Sequence, residues 1–167
     1  GEGAYGALKI YLVGALAPAG AQGISDAAGL YFCSGNEQYL VLNLEEWASM
    51  RQTFYHETAH AIDCHINGTA YQSFQSGEWE SLNPEGFSYA YSYAEDQEAL
   101  NGSWVAGLSL SEPAYFVDTY SKTFPAEDRA RILEYAMAFG DLPVYFQEGP
   151  IQQNSAICAA GSGRPLT

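Results

Sequence analysis

The spacing of apolar residues changes along the chain, and each change marks an element. Leu8 to Val13 alternates and is rich in strand formers, so it predicts a strand. Leu30–Cys33 and Gln38–Asn43 predict two more, joined by the turn signal Ser34-Gly35-Asn36. The period then lengthens. Trp47, Met50, Phe54, Ala61 and Ile62 recur at roughly helical spacing, and Asn43 with Glu46 three residues later forms a capping box ahead of them. The pattern predicts a helix running to about His65 and stopped by Asn67-Gly68.

Residues 68–112 show no clean period and are dense in Gly, Ser, Tyr, Trp and Asn. A second helix is predicted from about Pro125. Thr123 is its expected N-cap, and Ala126, Ala130, Leu133, Ala136 and Met137 give it an apolar stripe. Gly140 is placed to end it, and Pro143 prevents a restart. The tail from Gly149 to Thr167 is turn-rich and is expected to lie over the surface. With no repeat and no linker, the 167 residues predict one domain, 1–167.

Composition narrows the possible partners. An apolar share of 47% is far above that of a disordered chain, so a self-supporting core is expected. Six Lys and Arg against twenty Asp and Glu give a formal net charge of -14. Such a surface repels a phosphate backbone and an anionic bilayer, so neither nucleic acid nor membrane is an expected partner. No apolar run approaches the ~20 residues needed to span a bilayer. The low pI and the scarcity of Lys fit an extracellular bacterial protein, secreted or in the cell envelope. The start at Gly1-Glu2-Gly3, without a signal peptide, is the start expected of a trimmed, mature form. A monomer is expected.

Cysteine usage excludes one kind of metal site. Cys33, Cys64 and Cys158 allow one disulfide at most, and no Cys-x-x-Cys pair is present to build a thiolate zinc site. Three buried small hydrophobes and one disulfide are both open readings.

The chemistry concentrates in the first helix. All three histidines fall between His56 and His65, and two of them make His56-Glu57-Thr58-Ala59-His60. Residues four apart share a helix face, so His56 and His60 can grip one zinc ion. Glu57 lies one step round, placed to accept a proton from water without binding the ion. A surface-helix coincidence would give solvated His and Glu instead. His65 lies about 140° round from His60 and reads as a surface or packing residue. Asp63 either orients a ligand histidine or is merely solvated or capping.

A catalytic zinc site usually needs a third protein ligand. Glu127, at the start of the second helix, is the best candidate, because an anion there complements the helix dipole beside a cation. Glu98, seven residues after Tyr91, is a rival, and other carboxylates remain open. Asp128 reads as a first-turn acid or as a support to the ligands. The strand ending near Asn43 is a candidate edge strand for pairing with an extended substrate.

The His56-Glu57-x-x-His60 motif, followed by Phe116-Val117-Asp118-Thr119-Tyr120-Ser121-Lys122-Thr123-Phe124-Pro125-Ala126-Glu127-Asp128-Arg129-Ala130, resembles bacterial zinc metallopeptidases. These are related to the anthrax lethal factor catalytic domain and the Pro-Pro endopeptidases, which carry a Tyr seven residues before a zinc-binding Glu. The resemblance covers about 75 residues. It implies that Glu127 is the third ligand and that Tyr120 donates its phenol to a developing oxyanion. It also implies a zincin-like α+β domain, with a small, mainly antiparallel sheet beside the zinc helix and a glutamate-bearing helix crossing behind it.

Hydrolysis of peptide bonds in a peptide or protein substrate is the expected activity. The alternatives are a non-catalytic peptide- or glycan-binding module on a protease-like fold and a zinc hydrolase acting on a non-peptide amide. Tyr71, Phe74, Trp79, Phe87, Tyr89, Tyr91, Tyr93 and Trp104 suit either recognition loops or loops that pack on themselves. Gln52 to Ser121 carries ten acidic residues and no Lys or Arg. That imbalance steers basic peptides if it faces a cleft, and otherwise serves solubility.

Overall fold

A computed structural model describes residues 7–16, 27–34, 37–67, 77–93, 102–105 and 114–139. Three strands, β1 (Leu8–Val13), β2 (Gly29–Ser34) and β3 (Glu37–Asn43), form a sheet in the order β1-β3-β2. They are followed by helices α1 (Met50–Asn67), α2 (Gly77–Glu80) and α3 (Pro125–Phe139). This is the expected small α+β domain. Its sheet is mixed rather than mainly antiparallel, since β3 pairs antiparallel with β2 and parallel with β1. The parallel pairing also makes β3 the central strand. Both of its edges are occupied, so it cannot accept an extended substrate as an edge strand.

Side-chain alternation decides which face of the sheet packs. Tyr31 and Cys33 in β2 stand opposite Leu40 and Gln38 in β3. Tyr31, Gln38, Leu40 and Leu42 are buried, and α1 lies against β2 and β3. Cys64 and Ala61 of α1 close onto Tyr31 and Cys33. A Cβ on Gly29 would stand 2.5 Å from Cγ2 of Thr53 and 3.1 Å from Cγ of Glu57. The missing side chain is what lets β2 approach α1 so closely.

The chain between β3 and α1 departs from expectation. Asn43 does act as a cap, its Oδ1 accepting from the Glu45 N–H at 3.0 Å. The helix it opens is a 3₁₀ turn, Leu44–Ser49, and Glu46 has non-helical angles, so the capping box does not close. Trp47 consequently lies outside the packed face, 75% exposed. In α1 itself the buried positions are Thr53, His56, Glu57, Ala59, His60, Ala61 and Cys64. Four of these seven, Thr53, His56, Glu57 and His60, are polar or charged, so apolar periodicity is a weak guide to this helix.

A second apolar cluster draws on the segment without a period and on the residues that lead into α3. Trp79, Tyr89, Val105, Phe116 and Val117 bury against Ile132 of α3, with Phe87 and Trp104 packed on them. Phe87 is the hub, its ring centroid 4.5 Å from Phe116 and 5.0 Å from Tyr89. These aromatics therefore pack on themselves, while Tyr71 and Phe74 lie outside the described residues. Asp128 is fully buried in this layer, where its Oδ2 accepts from Tyr89 Oη at 2.9 Å and Trp79 Nε1 at 3.1 Å. It lies in the first turn of α3, as expected, but serves as a buried acceptor for these two donors. Burial pushes its carboxyl up to about 7, against those two donors.

Helix α3 packs along α1. Its stripe is centred on Ala126, Ala130 and Ile132, while Met137 is exposed. Thr123 is not its N-cap. That residue closes the 3₁₀ turn Tyr120–Lys122, with Oγ1 donating back to the Tyr120 carbonyl at 2.7 Å. Among the described residues, no helix is long and apolar enough to cross a membrane.

Candidate metal centre

Two packed helices bring three ligand-type atoms to one point. His56 and His60 stand one turn apart on the inward face of α1, and Glu127 faces them from the first turn of α3. Glu127 Oε2 lies 3.0 Å from His56 Nε2 and 3.3 Å from His60 Nε2, and the two nitrogens are 3.2 Å apart. All three residues are buried. A tetrahedral ion with bonds of about 2.0–2.2 Å spaces its ligand atoms roughly 3.3–3.6 Å apart, close to these separations. Two imidazoles and one carboxylate, with a fourth position left to solvent or substrate, are also a donor set that suits zinc.

The outer contacts support that fit. His56 Nδ1 is 3.1 Å from Oε2 of Glu134, which lies two turns beyond Glu127 on α3. A proton on Nδ1 shared with that carboxylate leaves the lone pair of Nε2 directed at the cluster. Arg131 donates from Nη1 to the same Glu134 oxygen at 2.7 Å, and its Nε is 3.1 Å from Asp118 Oδ2. Asp118 in turn accepts from the backbone N–H of Ser121 at 2.9 Å, in the turn that carries Tyr120. One chain of polar contacts thus links His56 to the Tyr120 segment.

Without an ion, His56 holds its proton tightly. Burial pulls the His56 imidazole down, but hydrogen bonds with Glu127 and Glu134 outweigh it and hold the group at about 9. Burial also pushes Glu127 up, yet its bonds to His56 and His60 keep the carboxyl well below the usual range. Metal binding at His56 Nε2 would displace that ring's proton.

Glu57 sits on the neighbouring face of α1, next to β2. Burial raises its carboxyl above the ordinary value, opposed by the charges of His56 and His60 and by the backbone N–H of Tyr31. Tyr120 stands beside the cluster, its ring centroid 6.1 Å from that of His56. The Arg131 guanidinium lies 5.1 Å from the Tyr120 ring centroid on one side, and Tyr93 stacks at 6.0 Å.

Tyr93 is the residue that sequence reasoning passed over. Its hydroxyl donates to Glu127 Oε1 at 2.8 Å. Backbone bonds from Ala90 to Lys122 and from Tyr91 to Thr123 lay this segment along the 3₁₀ turn, and Tyr91 takes a left-handed φ of 50° to turn the chain. Nothing in the local pattern signalled this. Glu134 was more accessible to inference, because it repeats Glu127 at a seven-residue interval on one helix face.

The remaining candidates fall elsewhere. Asp63 pairs with Arg129. It receives a two-pronged hydrogen bond from Arg129, with Nη2 at 2.6 Å and Nε at 2.9 Å. His65 is exposed, as expected. Glu98 and Cys158 lie outside the described residues. Compared with family models, curated proteins and solved structures, the chain finds no match.

Proposed function

We propose that this chain is a zinc-dependent metallopeptidase. The observation that carries the reading is the convergence of His56 Nε2, His60 Nε2 and Glu127 Oε2 within hydrogen-bond distance of one another, inside a buried site. Zinc held by these three atoms supplies a Lewis acid that polarises a carbonyl and activates water.

Glu134 fixes the ring orientation of His56, and Tyr93 holds the second oxygen of Glu127. Glu57 is the general base. A carboxylate whose proton affinity is raised by burial is better matched to accepting a proton from water near neutral pH. Tyr120 donates its phenol to the oxyanion that develops as the carbonyl is attacked, and Arg131 above its ring favours negative charge there. The substrate is a peptide or protein, and the protein acts outside the cell as a monomer.

The test pairs metal analysis of the purified chain with digestion of a peptide library by the native protein and by Glu57→Gln. One zinc per chain is expected, with peptide cleavage that Glu57→Gln lowers by at least about 100-fold. Normal cleavage by the variant would remove Glu57 from the role of base. Stoichiometric zinc without cleavage would point to the binding module instead.

A further inference from the structure

We propose that Cys33 and Cys64 form a disulfide that fastens strand β2 to the far half of the helix carrying His56 and His60. The two residues meet across the packing of sheet on helix. Cys33 follows Tyr31 by two positions in β2, so both side chains face α1. Cys64 follows Ala61 by three positions in α1 and turns toward the same patch. Cys33 packs on the cluster formed by Tyr31, Ala61 and Cys64.

Both thiols are free, and the Cys64 thiol is in hydrogen-bonding reach of Cys33 and of the Tyr31 hydroxyl. Their environments differ in a way that orders the chemistry. Cys64 is fully buried, and burial pushes its thiol up, which makes it the poorer nucleophile toward an outside reagent. Cys33 is half-buried and can be reached.

The oxidant is a disulfide of the glutathione or protein-dithiol class. The Cys33 thiolate attacks one sulfur of it and expels the first thiolate, leaving a mixed disulfide. The Cys64 thiolate then attacks the Cys33 sulfur and expels the second. Two protein thiols lose two electrons and two protons, and one external disulfide becomes two thiols. The closed loop contains β3 and most of α1, so the unfolded chain loses much freedom. The bridge also holds Tyr31 against Glu57, since the Tyr31 N–H faces that carboxylate.

The proposal is independent of zinc, and the test reads the sulfur chemistry directly. The native full chain is incubated with oxidised glutathione, remaining thiols are alkylated, and peptides are mapped without reduction. A cross-linked peptide joining Cys33 to Cys64 is expected, with Cys158 alkylated or carrying glutathione. The oxidised chain is expected to melt several degrees higher than the reduced chain, and Cys33→Ser should abolish that gain. Cys158→Ser should leave the bridge intact. Recovery of Cys33 and Cys64 separately alkylated or separately glutathionylated would overturn the proposal, as would a bridge from either one to Cys158. Should Cys33→Ser fold poorly, the peptide map of the native chain decides alone.

Discussion

The Tyr93 hydroxyl donates to Oε1 of Glu127 while the other oxygen of that carboxylate faces His56 and His60. Glu127 is therefore held from both sides, with one oxygen occupied by a phenol and one left for an ion. Two tyrosines stack at this site, and their contacts differ. Tyr93 touches the ligand, whereas Tyr120 stands next to the cluster with its ring under Arg131. Tyr93→Phe should weaken zinc binding about 10-fold, the usual effect of removing an outer partner of a ligand, as read by competition with a chelator. Tyr120→Phe should leave zinc affinity unchanged and lower kcat about 10–1,000-fold. The reverse pattern would exchange the two roles.

Glu134 is expected to act through His56. Glu134→Gln preserves size and can still bond to Nδ1, but it no longer carries the charge that fixes the ring's proton. Zinc affinity should fall about 10-fold, and Glu134→Ala should cost more, up to about 100-fold. Both variants also release Arg131 from one partner, so activity should fall further than zinc occupancy alone explains. Activity assayed at saturating zinc separates the two effects.

How legible these arrangements were in the sequence depends on range. His56, Glu57 and His60 are fixed relative to one another by one helix, so a spacing rule suffices to place them. Glu127 needed a contact between two helices; its place at a helix start made it a candidate, and the resemblance singled it out from Glu98 and other carboxylates. The inward face of α1 defeated the apolar period because four of its buried positions, Thr53, His56, Glu57 and His60, are polar or charged. Trp47 misled for the converse reason, since an aromatic on a 3₁₀ turn faces solvent. Asp128 and Tyr93 depend on the fold of the aromatic segment, where no period exists to read. Parallel pairing of β1 with β3 was equally invisible, because strand alternation does not encode direction.

The titration of His56 gives the metal-free protein a characteristic pH response. The groups facing it are Glu57, Glu127, Glu134 and His60. Its folded-state pKa, about 9, lies above the ordinary 6.5. The stabilisation it provides is fully present below the unfolded value and is lost as pH rises from 6.5 through 9. Glu127 behaves oppositely. Its carboxyl is held below the ordinary value, so its contribution is present above about 4.5 and fades as pH falls further. Asp128, raised from 3.8 to about 7, loses its contribution earlier, as pH rises from 3.8 through 7. The metal-free chain should therefore melt highest in mild acid and several degrees lower at pH 9. Zinc must displace the His56 proton at neutral pH, so calorimetry in buffers of different ionisation enthalpy should show about one proton released per ion bound. A melting temperature that is flat between pH 6 and 9 would contradict the proton-bridged cluster.

Gly29 offers a test of the contact between strand and helix that holds Glu57. An added Cβ would lie 2.5 Å from Cγ2 of Thr53, closer than real side chains approach, and 3.1 Å from the carbonyl oxygen of Val41. Thr53 has little freedom to yield. Its side chain is β-branched, and its Oγ1 donates to the Ser49 carbonyl at 3.1 Å. The strand must therefore shift away from α1. Gly29→Ala should destabilise the fold by about 1–3 kcal/mol, the range for an overpacked interior, measured by urea unfolding. The displacement also moves the Tyr31 N–H from Glu57, which frees that carboxylate from a donor that lowers its proton affinity. In the acidic limb of the activity profile, the midpoint should then rise relative to the parent. Zinc occupancy should be unaffected, because His56, His60 and Glu127 are positioned by α1 and α3 rather than by β2. A variant that loses zinc along with stability would show that the sheet, too, shapes the metal site.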